Sequence, residues 1–326
     1  MMIASWELDF TPQKLAQSEV VAFFLIPFFS GRRGPAIREG MSKAKIGLGC
    51  VTFGREIDRD DSFVLLDAAM ERGISMLDTA AAYGEGASEK IIGEWIAYRN
   101  PDKSTYKVAT KILPPFDATS IESRVRESQD RLGVPSIDLL YLHSWDSSAA
   151  ELDVLVSLDR LVRDGTIQQL GVSNVKMETL RQVREMQEQH SLAPFSVVQN
   201  NFNYAVRDLD EDERQQCSEL GIRVVTYSPL GAGFLTGKHR DGVEKGSRFD
   251  VIPGHQDVYF HEQAWERLDH LEEVAQAHEY SQAHLALAWV FHQPNIDCML
   301  IGGRKIEHLI QAVSARDEEG EALREL

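Results

Sequence analysis

The sequence predicts an α/β protein, a single (β/α)8 TIM barrel, on three observations. Short β-rich runs recur at roughly thirty-residue intervals, the length of one βα unit. An amphipathic helical stretch follows each run. Titratable groups of four kinds, Asp78, Tyr83, Lys111 and His143, sit at run ends or just beyond, the face where such barrels place their chemistry.

The strands begin near Lys45 (Lys-Ile-Gly-Leu-Gly), Ile74, Tyr106, Ile137, Ile167, Ser196 and Ile222, and Asp297–Ile301 supplies the eighth. Asp61 or Ser62 is the expected cap of a helix over Phe63–Arg72, with Gly73 as its stop signal, and the next helix opens near Ala87-Ser88-Glu89. Glu151–Asp164 ends at Gly165, and Asp210–Leu220 ends at Gly221. The acidic run Asp208–Glu213 suits a helix start, where the dipole favours negative charge. The last interval is longer, with a Gly-rich loop (Gly231–Pro253) and helices over Gln263–His278 and Ser281–His292. A helix over Lys305–Arg316 closes the count. A doubly wound sheet would need a Gly-rich fingerprint opening a helix after its first strand. Gly47-Leu48-Gly49 runs instead into Cys50-Val51-Thr52-Phe53-Gly54, so these glycines read as a strand end that approaches a ligand.

Composition narrows the function. A net charge of −17 argues against nucleic acid or an anionic membrane as partner, since both need a basic face. Cys50, Cys217 and Cys298 are too far apart for a disulfide framework or metal spacing, which suits a reduced, cytoplasmic protein. Residues 1–40 read as an extension, mostly disordered, ahead of a natural start at Met41. The apolar run Val20–Phe29 is well short of the roughly twenty residues that span a bilayer, and no basic segment precedes it. The barrel is expected over residues 41–318, with a solvated polar tail over 319–326.

The predicted strand ends are Gly49, Asp78, Lys111, His143, Ser173-Asn174, Gln199, Tyr227-Ser228 and Gly302. No pair of carboxylates flanks an open space, which weakens glycoside hydrolysis. No His-x-His pair with further carboxylates is present, which weakens a metal hydrolase.

On these residues the chain resembles the aldo-keto reductases. The shared motifs are Gly47-Leu48-Gly49, Asp78-Thr79-Ala80, Tyr83-Gly84-x-Gly86-x-Ser88-Glu89, Thr110-Lys111, Leu142-His143, Gly171-Val172-Ser173-Asn174 and Gln199. They continue through Tyr227-Ser228-Pro229-Leu230 and Leu235-Thr236-Gly237-Lys238 to Gly302-x-Arg304, in order, over most of residues 45–315. The resemblance implies a catalytic tetrad of Asp78, Tyr83, Lys111 and His143, and NADP(H) or NAD(H) as cofactor. Physical reasons for the four types stand beside it. A carbonyl that receives a hydride becomes an alkoxide and needs a proton donor in reach. Tyrosine, with an ordinary pKa near 10, is a poor acid at neutral pH, and a nearby ammonium, Lys111, is expected to lower it. Asp78 supplies the counter-charge that keeps a buried lysine ionised. His143 can donate to the carbonyl oxygen and orient it.

The resemblance further implies that Ser173, Asn174 and Gln199 hold the nicotinamide carboxamide and that Tyr227 stacks on the ring, with Gly49 close by. Ser228, Leu230, Lys238 and Arg248 are the expected pyrophosphate clamp. Gly302 and the last helix suit the adenosine phosphate, and Arg304, a planar fork, is the candidate for a 2′-phosphate. NADP(H) is therefore preferred on Arg304, with NAD(H) left open. The last helix departs from the family pattern: His308 stands where Gln or Arg is usual, Gln311 where Glu is common and Ala312 where Asn is usual, while Cys50 stands where Thr is frequent. Phe53 and Trp145 are expected to line the mouth for a small carbonyl substrate whose identity, like the oligomeric state, stays open. Two rival functions are a nicotinamide-binding redox-sensing partner with little turnover and a Schiff-base aldolase using Lys111.

Overall fold

Eight short parallel strands carry the chain around a closed ring in sequence order, β1 to β8, in a computed structural model that describes residues 43–326. They are β1 Lys45–Gly49, β2 Met76–Asp78, β3 Lys107–Ile112, β4 Leu139–Leu142, β5 Leu170–Ser173, β6 Phe195–Asn201, β7 Arg223–Tyr227 and β8 Cys298–Gly302. The expected (β/α)8 barrel is what forms, with each strand starting at or within a few residues of its predicted position. Parallel strands need crossovers, and helices supply them here. They are α1 Arg59–Glu71, α2 Ala87–Arg99, α3 Ile121–Leu132, α4 Leu152–Arg163, α5 Met177–Gln189 and α6 Glu211–Glu219. After β7 come the short α7 Arg248–Val251 and α8 His255–Tyr259, then α9 Glu262–Ala277 and α10 Gln282–Phe291. After β8 come α11 Ile306–Arg316 and α12 Ala322–Glu325. The extension expected over residues 1–40 lies outside the described residues. No helix among the described residues is long and apolar enough to cross a membrane.

Alternation along each strand divides the core in two. Ala109, Leu139, Tyr141, Val197, Val225, Cys298 and Leu300 fill the barrel interior, while a larger apolar layer joins the strands to the helices. Gly47 faces that interior: a Cβ there would sit 2.6 Å from Leu300 Cδ2 and 3.1 Å from Cys298 Sγ. Its glycine thus serves barrel packing, not the approach of a ligand. Gly49, beside Asp78 and Gly302 in register, has only ordinary contacts and keeps the expected role open.

Two boundaries differ from expectation. Helix α1 begins a turn early, because Asp58, not Asp61 or Ser62, is the cap: its side chain accepts from the Asp61 amide at 3.0 Å. Asp60 and Asp61 then sit in the first turn, where the dipole favours them, and Ser62 is buried. The tail expected to be solvated is held down. Ala322 is buried, Leu323 and Leu326 pack on the core, and Glu318 accepts from the Tyr280 hydroxyl at 3.0 Å and meets His284 Nε2 at 3.1 Å. An acidic composition concealed these few apolar anchors. The acidic start of α6 is as expected: Asp210 caps it, with Glu213 completing a reciprocal capping box.

Candidate active site

Asp78 ends β2, and Lys111 lies near the end of β3 on the same inward face as Ala109. The Lys111 ammonium donates to Asp78 Oδ1, to the Thr79 carbonyl at 2.8 Å and to the Tyr83 hydroxyl at 3.4 Å. Gln199 Nε2, from β6, takes the other oxygen of Asp78 at 2.9 Å. Lys111 and Asp78 are 1% and 2% exposed, so each charge is tolerable only because the other is there. Tyr83 reaches this pair from the β2–α2 connection. Gly84, Glu85 and Gly86 follow it with φ of 57°, 55° and 90°, and these left-handed turns set where the loop goes before α2 begins. His143 stands directly after β4, its amide bonded to the Ile112 carbonyl at 2.9 Å. Its ring meets Tyr83 edge-on, with centroids 5.6 Å apart at 78°. The four residues singled out in sequence therefore converge.

Their electrostatics differ from expectation at one point. Burial presses the Lys111 ammonium toward neutrality, but Asp78 and then Tyr83 outweigh it, and its pKa is raised. The Tyr83 phenol, expected to be lowered by Lys111, is instead raised: burial is the largest cause, and Asp78 opposes the downward pull of Lys111. The ammonium moderates the cost of burial without reversing it. His143 is pushed down to about 4, by burial first and Lys111 second, so its ring is neutral at ordinary pH. Its Nδ1 is buried without a hydrogen-bond partner among the described residues.

Several motif residues form a supporting layer whose contacts the sequence alone did not assign. Glu89 on α2 is fully buried, accepting from Thr110 Oγ1, next to Lys111, and from Arg131 Nε on α3 at 2.6 Å. An acidic residue in a helix's first turn looks like a dipole partner, so its real task was hidden. The Thr79 hydroxyl donates to Ser88, which donates to the Cys50 carbonyl, tying the ends of β1 and β2 to α2. Asn203 Nδ2 donates to the Ser228 carbonyl at 3.0 Å and to the Tyr259 hydroxyl at 3.2 Å, fixing the β7 connection to that of β6.

The residues expected at a dinucleotide fall into two groups. Ser173, Asn174, Gln199 and Tyr227 form one hydrogen-bonded set. Ser173 Oγ donates to the Gln199 carbonyl at 2.7 Å, Asn174 Nδ2 to the His143 carbonyl at 3.0 Å, and the Tyr227 hydroxyl to Asn174 Oδ1 at 2.6 Å. The rest lie on connections. Ser228 has a φ of 54°, and Leu230 opens the turn Gly231–Thr236. Lys238 is paired with Glu244 at 3.1 Å and Arg248 with Glu56 at 3.1 Å. Gly302 is exposed, and its neighbour Gly303 accepts from Thr52 Oγ1 at 2.9 Å. The Arg304 amide donates to His308 Nδ1 at 3.3 Å, while the Arg304 side chain is exposed.

Phe53, expected to line the mouth, is 0% exposed and packs in the core, so no substrate can touch it. A lone aromatic after a strand end reads the same whether it faces in or out. Trp145 is half-buried, packed on one side against the core. Ala312 is fully buried and offers only a methyl group.

A barrel with an ammonium, a carboxylate, a phenol and a neutral imidazole converging at the C-terminal ends of its strands presents a candidate enzyme site. The class it belongs to is the NAD(P)-dependent oxidoreductases, and comparison with known proteins gives the family. The aldo/keto reductase family model matches residues 45–323, and the chain belongs to that family. A Glycine max protein named "Probable aldo-keto reductase 1" is 29% identical over 292 residues, 85% of this chain and 82% of its own length. Norsolorinic acid reductase A of Aspergillus parasiticus is 30% identical over 297 residues, 85% of this chain and 74% of its own. A norsolorinic acid reductase of Aspergillus flavus matches to the same extent.

Proposed function

We propose that the protein reduces an aldehyde, ketone or aldose carbonyl with NADPH, and oxidises the corresponding alcohol in reverse, with Tyr83 as the acid. The observation that carries this reading is the buried Asp78–Lys111 ion pair, with its ammonium 3.4 Å from the Tyr83 hydroxyl. A phenol that stays protonated at neutral pH is a loaded acid. Giving up its proton leaves a phenolate beside a cation, so Lys111 lowers the cost of the transfer relative to an equally buried phenol without it. Asp78 keeps Lys111 charged and, with Gln199 on its second oxygen, fixed. Neutral His143, with Nδ1 buried, has Nε2 left to donate to the carbonyl oxygen and hold it against the Tyr83 hydroxyl.

The chain's donors suit a nicotinamide dinucleotide. A bound nicotinamide supplies the hydride. The side-chain amides of Asn174 and Gln199 and the Ser173 hydroxyl match a planar carboxamide's acceptor and two donor hydrogens, and Tyr227 offers a ring for stacking. Gly49 leaves room at the end of β1. Ser228, Leu230, Lys238 and Arg248 would hold the pyrophosphate, and Gly302, Arg304 and His308 the adenosine end. Arg304, exposed and without an ion pair among the described residues, favours NADP(H) over NAD(H). Trp145 would line the substrate side.

The test is to mix the protein with NADPH and a panel of aldehydes, ketones and aldoses and follow nicotinamide absorbance. Tyr83→Phe should lower turnover about a thousandfold, with NADPH affinity unchanged. Turnover retained in that variant removes Tyr83 as the acid.

A further inference from the structure

The turn after β6 doubles the chain back. Phe202 pairs antiparallel with Arg207, the Asn203 amide bonds the Val206 carbonyl at 2.8 Å, and Asn203 Oδ1 accepts from the Ala205 and Val206 amides at 3.0 and 2.9 Å. This returns Asp208 to the end of β6, where its amide donates to the Asn201 carbonyl at 3.2 Å. Asn201 is the register partner of Tyr227, and its side chain accepts from the Tyr259 hydroxyl at 3.0 Å. Asp208, an exposed residue, is thereby anchored by its backbone beside the strand end that carries Tyr227. Its charge is felt there. Tyr227 is raised by burial first and by Asp208 second. Tyr259 is pushed up to about 12 by burial, with Asp208 adding to it against the pull of Asn201 and Asn203.

We propose that Asp208 is an electrostatic residue of the cofactor site that binds the oxidised, cationic nicotinamide more tightly than the neutral reduced one. This rests on the reading that the nicotinamide stacks on Tyr227. An anion beside the strand end that carries Tyr227 attracts the positive charge of the oxidised form and leaves the reduced form nearly untouched. By linkage, tighter binding of the oxidised form favours loss of hydride from the bound reduced form, so Asp208 tilts the site toward carbonyl reduction.

The test is to titrate NADP+ and NADPH separately into the wild-type protein and Asp208→Asn, with binding followed by calorimetry. The ratio of the NADP+ Kd to the NADPH Kd should rise about three- to tenfold on loss of the charge, almost all of it from weaker NADP+ binding. Asp208→Glu should keep the wild-type ratio. If Asp208→Asn folds poorly, added salt is the second measurement. Raising ionic strength should shift the wild-type ratio in the same direction, because an exposed charge is screened. A ratio unmoved by both the substitution and salt overturns the proposal and leaves the cofactor reading standing. Failure of the wild-type protein to bind either dinucleotide overturns both.

Discussion

Two sets of ion pairs in this molecule differ in a way that composition hides. At the strand ends, Lys111 and Asp78 are sealed from water, and each polar atom has a partner supplied by a neighbouring strand or loop. On the connections, Lys238 meets Glu244 with side chains 40% and 60% exposed, and Arg248 meets Glu56 at 23% and 16%. The first pair is fixed by the barrel and cannot exchange partners without exposing a charge to an apolar interior. Lys238 and Glu244 are wet, while Arg248 and Glu56 are mostly covered; on the proposed function both cations would trade a carboxylate for a phosphate. On the proposed function, a site that must hold a proton donor still, yet admit and release an anionic cofactor, would draw on both kinds.

The strongest break in that comparison is Asp78→Asn. It leaves the Lys111 ammonium buried without a counter-charge, which should cost about 3–5 kcal/mol of stability, read by chemical denaturation. Turnover should fall with it, since an ammonium deprived of Asp78 is driven toward neutrality by burial. A variant as stable as wild type would mean that water reaches Lys111.

A smaller effect follows from His143. A histidine lowered to about 4 from 6.5 binds fewer protons when folded than when unfolded. Stability from that group is therefore present above pH 6.5 and is lost as pH falls through the interval from about 6.5 to 4. His143→Gln should remove that part of the acid limb in denaturation midpoints measured across the interval. An unchanged slope would place His143 in a wetter setting than its packing against Tyr83 implies.

What was legible in the sequence follows the same division. Strand ends could be read because a β-rich run, a polar residue at its end and a helix after it are all local. Asp78, Lys111, His143 and Ser173 were placed that way, while Gln199 lies two residues inside β6. Tyr83 could be read from its place in the loop after Asp78, but the net direction of its pKa could not, because burial and the opposing Asp78 are three-dimensional facts. Phe53 failed for the same reason: its inward orientation is decided by packing, not by its place after β1. Glu56 and Glu244, which occupy the cations expected at phosphates, are long-range or loop partners with no sequence signal. Asp58 was missed because in Asp58-Arg59-Asp60-Asp61-Ser62 several residues are competent caps and only geometry chooses among them.

The smallest effect sharpens the comparison most. Glu244→Gln removes the carboxylate partner of a loop cation, as Asp78→Asn removes that of a strand-end cation. Here the cation stays hydrated, so the stability change should be below about 1 kcal/mol. Binding should move the other way. With no internal anion to displace, Lys238 is free for a phosphate, and NADPH affinity measured by fluorescence titration should rise about two- to fivefold at low salt. The gain should vanish as ionic strength rises, because the competition it relieves is between screened charges. Weaker NADPH binding in this variant would mean that Glu244 holds Lys238 in its working position instead of competing for it, and the connection would then belong with the fixed pairs of the barrel.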